Sequence, residues 1–69
     1  MKLIWEKDAR IKVCVVNGSA VISANNEGLL SLANQLTALS EEMTGSHIHY
    51  DDQNSLEDHS SELIIERIE

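Results

Sequence analysis

Arg10-Ile11-Lys12-Val13-Cys14-Val15-Val16-Asn17-Gly18-Ser19-Ala20-Val21-Ile22-Ser23-Ala24 holds two β-favouring runs joined by Asn-Gly. Asn-Gly between such runs is the strongest short signal for a β-hairpin, because a two-residue type I′ turn needs positive φ at both central positions. A two-residue turn fixes the register. Val16 faces Ser19, Val15 faces Ala20, Val13 faces Ile22 and Ile11 faces Ala24. The last three pairs are apolar and share one face, so turn chemistry and hydrophobic pattern agree. The other face carries Lys12, Cys14, Val16, Val21 and Ser23 and is mixed in character.

Downstream the period changes from two to three-and-four. Leu29, Leu32, Ala33, Leu36, Leu39 and Met43 form a helical stripe with Leu30 at its flank, which predicts a helix near residues 26–43. Asn25 or Asn26 serves as N-cap and Glu27 suits the positive end of the dipole. Ser31, Asn34, Gln35, Glu41 and Glu42 are expected to face water, and Gly45 to close the helix in a left-handed cap. Ser46 to Tyr50 reads as a strand with Ile48 on one side and His47 and His49 on the other. Residues 51–60 form a polar loop with one apolar anchor, Leu56. Ser61 to Ile68 is the last strand, with Leu63 and Ile65 on one face and Ile64 and Ile68 on the other. Lys2 to Trp5 is a short strand or an extended entry segment, and Lys7-Asp8-Ala9 a turn. The expected fold is α+β in β-β-α-β-β order, one domain over residues 1–69, with the helix on one face of a four- to five-stranded antiparallel sheet.

With 69 residues, the chain has little core to bury. Its net charge is −7, and nine of its twelve acids lie from Glu41 onward. That sign opposes binding to nucleic acid or anionic membranes and permits steering toward a basic partner. No apolar run approaches the roughly 20 residues that span a bilayer. The single cysteine, Cys14, excludes an internal disulfide, and with no signal-like N-terminus the expected compartment is the cytoplasm. Asn17-Gly18-Ser19 matches a glycosylation sequon but reads as the hairpin turn.

The most chemically suggestive pair is His47-x-His49, because residues two apart in a strand share a face. A metal there needs a further ligand, for which His59, Asp51 and Asp52 are candidates. The alternative is two histidines on an exposed or interface side. Asp51-Asp52 fits turn capping better than a catalytic carboxylate pair. Asp58-His59-Ser60 are neighbours, and neighbours do not form a triad. Cys14 reads as a small buried hydrophobe. The expected far sheet face, with Cys14, Val16, Val21, Ile64 and Ile68, is apolar. It calls for a homodimer or a protein partner, or for cover by Trp5, the N-terminal segment and the loop around Leu56.

Three stretches carry a family resemblance: Asn26-Glu27-Gly28-Leu29-Leu30-Ser31-Leu32-Ala33, Gly45-Ser46-His47-Ile48-His49-Tyr50-Asp51, and Ser61-Glu62-Leu63-Ile64-Ile65-Glu66-Arg67. In this order they resemble the bacterial immunity protein thirty-two family, small proteins found near polymorphic toxin genes. The resemblance covers about residues 20–68, and its most specific element is G-x-H-x-H-Y-D followed by S-x-E-L-I-I. It implies a non-enzymatic protein that binds and neutralises a cognate protein toxin in the producing cell, with no cofactor. Gly45, His47, His49, Tyr50 and Asp51 are the motif positions. The expected contacts are the loop acids Asp51, Asp52, Glu57 and Asp58 with His47, His49 and Tyr50 beside them. The competing readings are a small homodimeric structural or regulatory protein and a metal-binding protein through His47 and His49.

Overall fold

A computed structural model of all 69 residues gives the order β1 (Ile11–Val16), β2 (Ser19–Ala24), α1 (Asn26–Ser40), β3 (His47–Tyr50) and β4 (Leu63–Glu66). The hairpin has the register its turn dictates, from Val16 opposite Ser19 to Ile11 opposite Ala24. Asn17 at φ 51° and Gly18 at φ 81° supply the two left-handed residues of a type I′ turn. β3 and β4 are also antiparallel, with His47 opposite Glu66, Ile48 opposite Ile65, His49 opposite Ile64 and Tyr50 opposite Leu63. No helix is long and apolar enough to cross a membrane.

The strands do not form one sheet. They make two separate two-stranded sheets, β1-β2 and β3-β4, and this corrects the expected four- to five-stranded sheet. The loop between β3 and β4 shows why. It runs beside the free edge of β1, where the Glu57 amide donates to the Ile11 carbonyl and the Ser61 amide to the Val13 carbonyl. The Val13 amide donates to the Ser60 hydroxyl. Two residues on β1 therefore face four on the loop, and His59 within those four sits at φ 67°. A left-handed kink and a two-to-four mismatch cannot propagate as a ladder. The last strand accordingly begins only at Leu63, and residues 1–6 form no strand.

The helix is rotated from its expected face. Ser31 and Gln35, expected in water, are 0% and 1% exposed, whereas Leu29, Leu30 and Leu36 are about half exposed. The cause is the N-terminal segment, which has no strand partner and takes side-chain partners from the helix instead. The Ser31 hydroxyl accepts from the Glu6 amide at 2.8 Å and donates to the Glu27 carbonyl. The Gln35 side-chain amide donates to the Ile4 carbonyl at 3.1 Å, and its oxygen accepts from the Tyr50 hydroxyl at 2.6 Å. Burying an unpaired polar group costs more than leaving a leucine half wet, so these hydrogen bonds set the rotation. No buried side-chain polar atom lacks a partner.

Asn25 caps the helix, its side-chain oxygen accepting from the Gly28 amide at 2.8 Å and from the Arg10 amide at 2.9 Å. The far end closes at Ser40, earlier than expected. The amides of Glu41 and Glu42 turn back to the Ala38 and Leu39 carbonyls. Gly45 does have a positive φ, but it opens β3 rather than capping the helix: its amide donates to the Arg67 carbonyl. The core is small and aliphatic apart from one ring. Ile11, Val13, Leu32, Leu39, Ile48, Tyr50 and Leu56 are buried together, so Leu56 is the loop anchor the sequence predicts.

Candidate functional site

The outer face of β3-β4 gathers the most chemistry. Alternation in β3 turns Ile48 and Tyr50 into the core and His47 and His49 outward. The antiparallel register then sets Ile64 and Glu66 across from the two histidines. Glu62, just before β4, reaches back so that its carboxylate lies 3.1 Å from His49 Nε2, with the Asp51 carboxylate 3.7 Å away on the same nitrogen. His49 is thus held between two acids, and Ile64 is an exposed apolar residue among them.

The expected contact residues fall into separate groups. His47, His49 and Asp51 belong to this face. Asp51 is also the organiser of the loop: its side chain accepts from the Gln53 amide at 2.9 Å, and its carbonyl accepts from the amides of Ser55 and Leu56. Capping is therefore its structural role. Asp52 is half-buried beside it, its side-chain oxygen 3.4 Å from the Gln53 side-chain amide. Glu57 and Asp58 lie apart, against the cations at the start of the hairpin. Glu57 pairs with Arg10 at 2.9 Å, and the Asp58 carbonyl accepts from the Lys12 ammonium at 2.6 Å.

Tyr50 is 1% exposed and points inward to Gln35, so its side chain is part of the core. Burial raises its phenol pKa above the ordinary value of 10.0. The accessible aromatic is Trp5, which stands edge-on to the Tyr50 ring with centroids 6.2 Å apart. Leu3, Trp5, His49, Asn54 and Ser55 border a depression of about 220 Å³ above that ring.

Sequence reasoning missed Glu62, Ile64 and Glu66 as members of this face. A signal was present: pairing His47-x-His49 antiparallel with Glu62-x-Ile64-x-Glu66 puts both alternations on one side. The metal reading needs a third ligand, and no group of three His, Cys, Asp or Glu side chains comes together in a way that could hold an ion. Cys14 is a half-buried free thiol in β1.

Fold and site define a small acidic α+β protein that displays a carboxylate-and-histidine sheet face beside a half-exposed tryptophan. The chain belongs to the Immunity protein 32 family, whose model matches residues 19–68. No curated protein matches the chain, and no solved structure does. The match begins at β2, so β1 and the segment bearing Trp5 lie outside it, while the helix, β3, the loop and β4 lie inside.

Proposed function

We propose that this chain is an immunity protein: it binds a cognate protein toxin and blocks it in the cytoplasm of the cell that makes both. Family membership supports the class of activity. The observation that carries the choice of surface is the placing of Asp51 and Glu62 around His49, with Glu66 across from His47 on the same sheet face, in a chain of net charge −7. Such a face attracts a basic partner and sets its orientation, acting mainly on association rate and specificity. Trp5 and Ile64 provide apolar area that a partner can desolvate, and tryptophan is among the residues that most often carry interface energy. Binding here is non-covalent occlusion and needs no catalytic group or cofactor. Asp52 lies at the rim of this face. Glu57 is paired with Arg10, whereas Asp58 meets Lys12 through its backbone carbonyl and keeps an exposed carboxylate, so both add to the negative field and Asp58 stays available for contact.

The test is protection of cells that express the cognate toxin proposed for this chain. The wild type is expected to restore growth. The charge-reversed pair Glu62→Lys with Glu66→Lys is expected to lose protection while keeping its circular dichroism spectrum. Full protection by that folded double variant would remove this face from the toxin contact.

A further inference from the structure

The β1-β2 hairpin has an unused side. β1 is flanked by β2 on one edge and by the loop on the other. β2 is paired only with β1, and every residue from Ser19 to Ser23 is exposed. The outer half of the hairpin is open on both faces, with Val15 64% and Val16 51% exposed. A two-stranded ribbon is marginal in water, and a third strand is what ordinarily stabilises it. Exposed edges are normally guarded by charge, proline, a bulge or short length. β2 has none of these: six residues, no charge, no proline and an unbroken register.

The direction of its free groups can be worked out. The Asn25 amide donates to the Arg10 carbonyl, so that pair is hydrogen-bonded. Alternation makes Lys12–Ser23, Cys14–Val21 and Val16–Ser19 bonded as well. Ala20 and Ile22 therefore turn their amides and carbonyls outward. We propose that β2 pairs antiparallel with β2 of a second copy of this chain about a two-fold axis at Val21, making a four-stranded sheet across a homodimer.

In this register Ala20 of each copy bonds Ile22 of the other, giving four backbone hydrogen bonds. The two Val21 residues meet as a non-bonded pair with Cα atoms about 4.5 Å apart. On the helix-side face each bulky Ile22 lies opposite a small Ala20, and on the opposite face Ser19 lies opposite Ser23. No like charges face each other.

The register selects a second copy as the occupant, because the edge is self-complementary about Val21, and the charge distribution leaves this edge open to it. Residues 9–26 contain Arg10 and Lys12 and no acid, so the remaining chain carries all twelve acids against three cations. Two molecules of net charge −7 repel over most of their surfaces, and the hairpin edge is where they can approach with their acids held away. The β3-β4 face is in the other sheet, so the dimer leaves the proposed toxin surface free. The two proposals stand or fall separately.

Size-exclusion chromatography with light scattering on the full chain, at near-millimolar concentration and without toxin, reads the result. The wild type is expected at twice the 7.7 kDa chain mass. Val21→Glu, which sets two carboxylates on the axis, is expected to run as a folded monomer, while Val15→Glu on the other strand stays dimeric. In a Cys14→Ala background, Val21→Cys is expected to cross-link between copies on oxidation with diamide, and Val15→Cys is not. A monomeric wild type overturns the proposal. So does a Val21→Glu chain that remains dimeric, or cross-linking that is equal at the two positions.

Discussion

Gly28 shows how a single atom can decide the packing. A Cβ added there would lie 2.5 Å from the Arg10 carbonyl oxygen and 3.1 Å from the Ala24 Cβ. The first turn of the helix can rest on the base of the hairpin only because that atom is missing. Gly28→Ala gains helix propensity, about 1 kcal/mol, but must push backbone away from backbone. Overpacking of this kind costs about 1–3 kcal/mol, so a net fall in the urea midpoint is expected. Tyr50 makes a second test at this scale. Tyr50→Phe leaves the Gln35 side-chain oxygen without its 2.6 Å donor, and a loss of about 1–3 kcal/mol is expected. Its pH dependence has a definite sign. Burial raises the folded phenol pKa above the unfolded 10.0, so the contribution of the neutral phenol is intact below pH 10 and falls as pH rises through the folded value. The stability difference between wild type and Tyr50→Phe should therefore narrow above pH 10 in denaturation series. A constant difference across that range would show that the buried phenol does not resist ionisation.

At the scale of elements, Asn25 joins three parts. Its side chain caps the helix at Gly28, accepts from the Arg10 amide of the hairpin base and donates to the Asp8 carbonyl in the preceding turn. Asn25→Ala should cost more than the ~1 kcal/mol typical of a lost cap, because two tertiary links go with it. Asn26→Ala, one residue on, should cost little, and thermal melts of the pair separate the two. The hairpin and the cap were legible in the sequence because their chemistry is local: Asn17-Gly18 needs no tertiary information to choose its turn, and an asparagine before a helical run needs none to cap it. The rotation of the helix was not legible. Leu29, Leu36 and Met43 satisfy the helical period as well as the buried set does. What decides between them is the backbone of residues 4–6, which reaches Ser31 and Gln35 only in three dimensions. The split of the sheet was hidden for the same reason, since it depends on how the loop kinks at His59 beside β1. The candidate site was half legible. The outward turn of His47 and His49 followed from strand alternation. Tyr50, grouped with them through the family motif, obeys the opposite parity.

Across the whole molecule, charge and burial divide the labour. Seven buried apolar residues hold the fold, while most of the acids stay at the surface, and a core this small is consistent with a domain whose neighbours matter to its stability. Binding partners stabilise by mass action, so the toxin should raise the melting temperature in proportion to the logarithm of its excess over Kd. The negative field makes a kinetic prediction too. Raising salt from low to physiological strength should slow association with a basic toxin several-fold and change dissociation far less, because screening acts on the approach and not on the desolvated contact. Stopped-flow fluorescence of Trp5, the only tryptophan, can follow this directly. A salt-independent association rate would count against electrostatic steering.

The most direct measurement is calorimetric titration of the purified chain with the cognate toxin domain proposed for it. A saturable complex with one toxin domain per chain is expected, weakened at least tenfold by Glu62→Lys with Glu66→Lys and by Trp5→Ala, and left intact by Val21→Glu. No heat of binding with a folded toxin domain, or binding untouched by changes on the β3-β4 face, would contradict it.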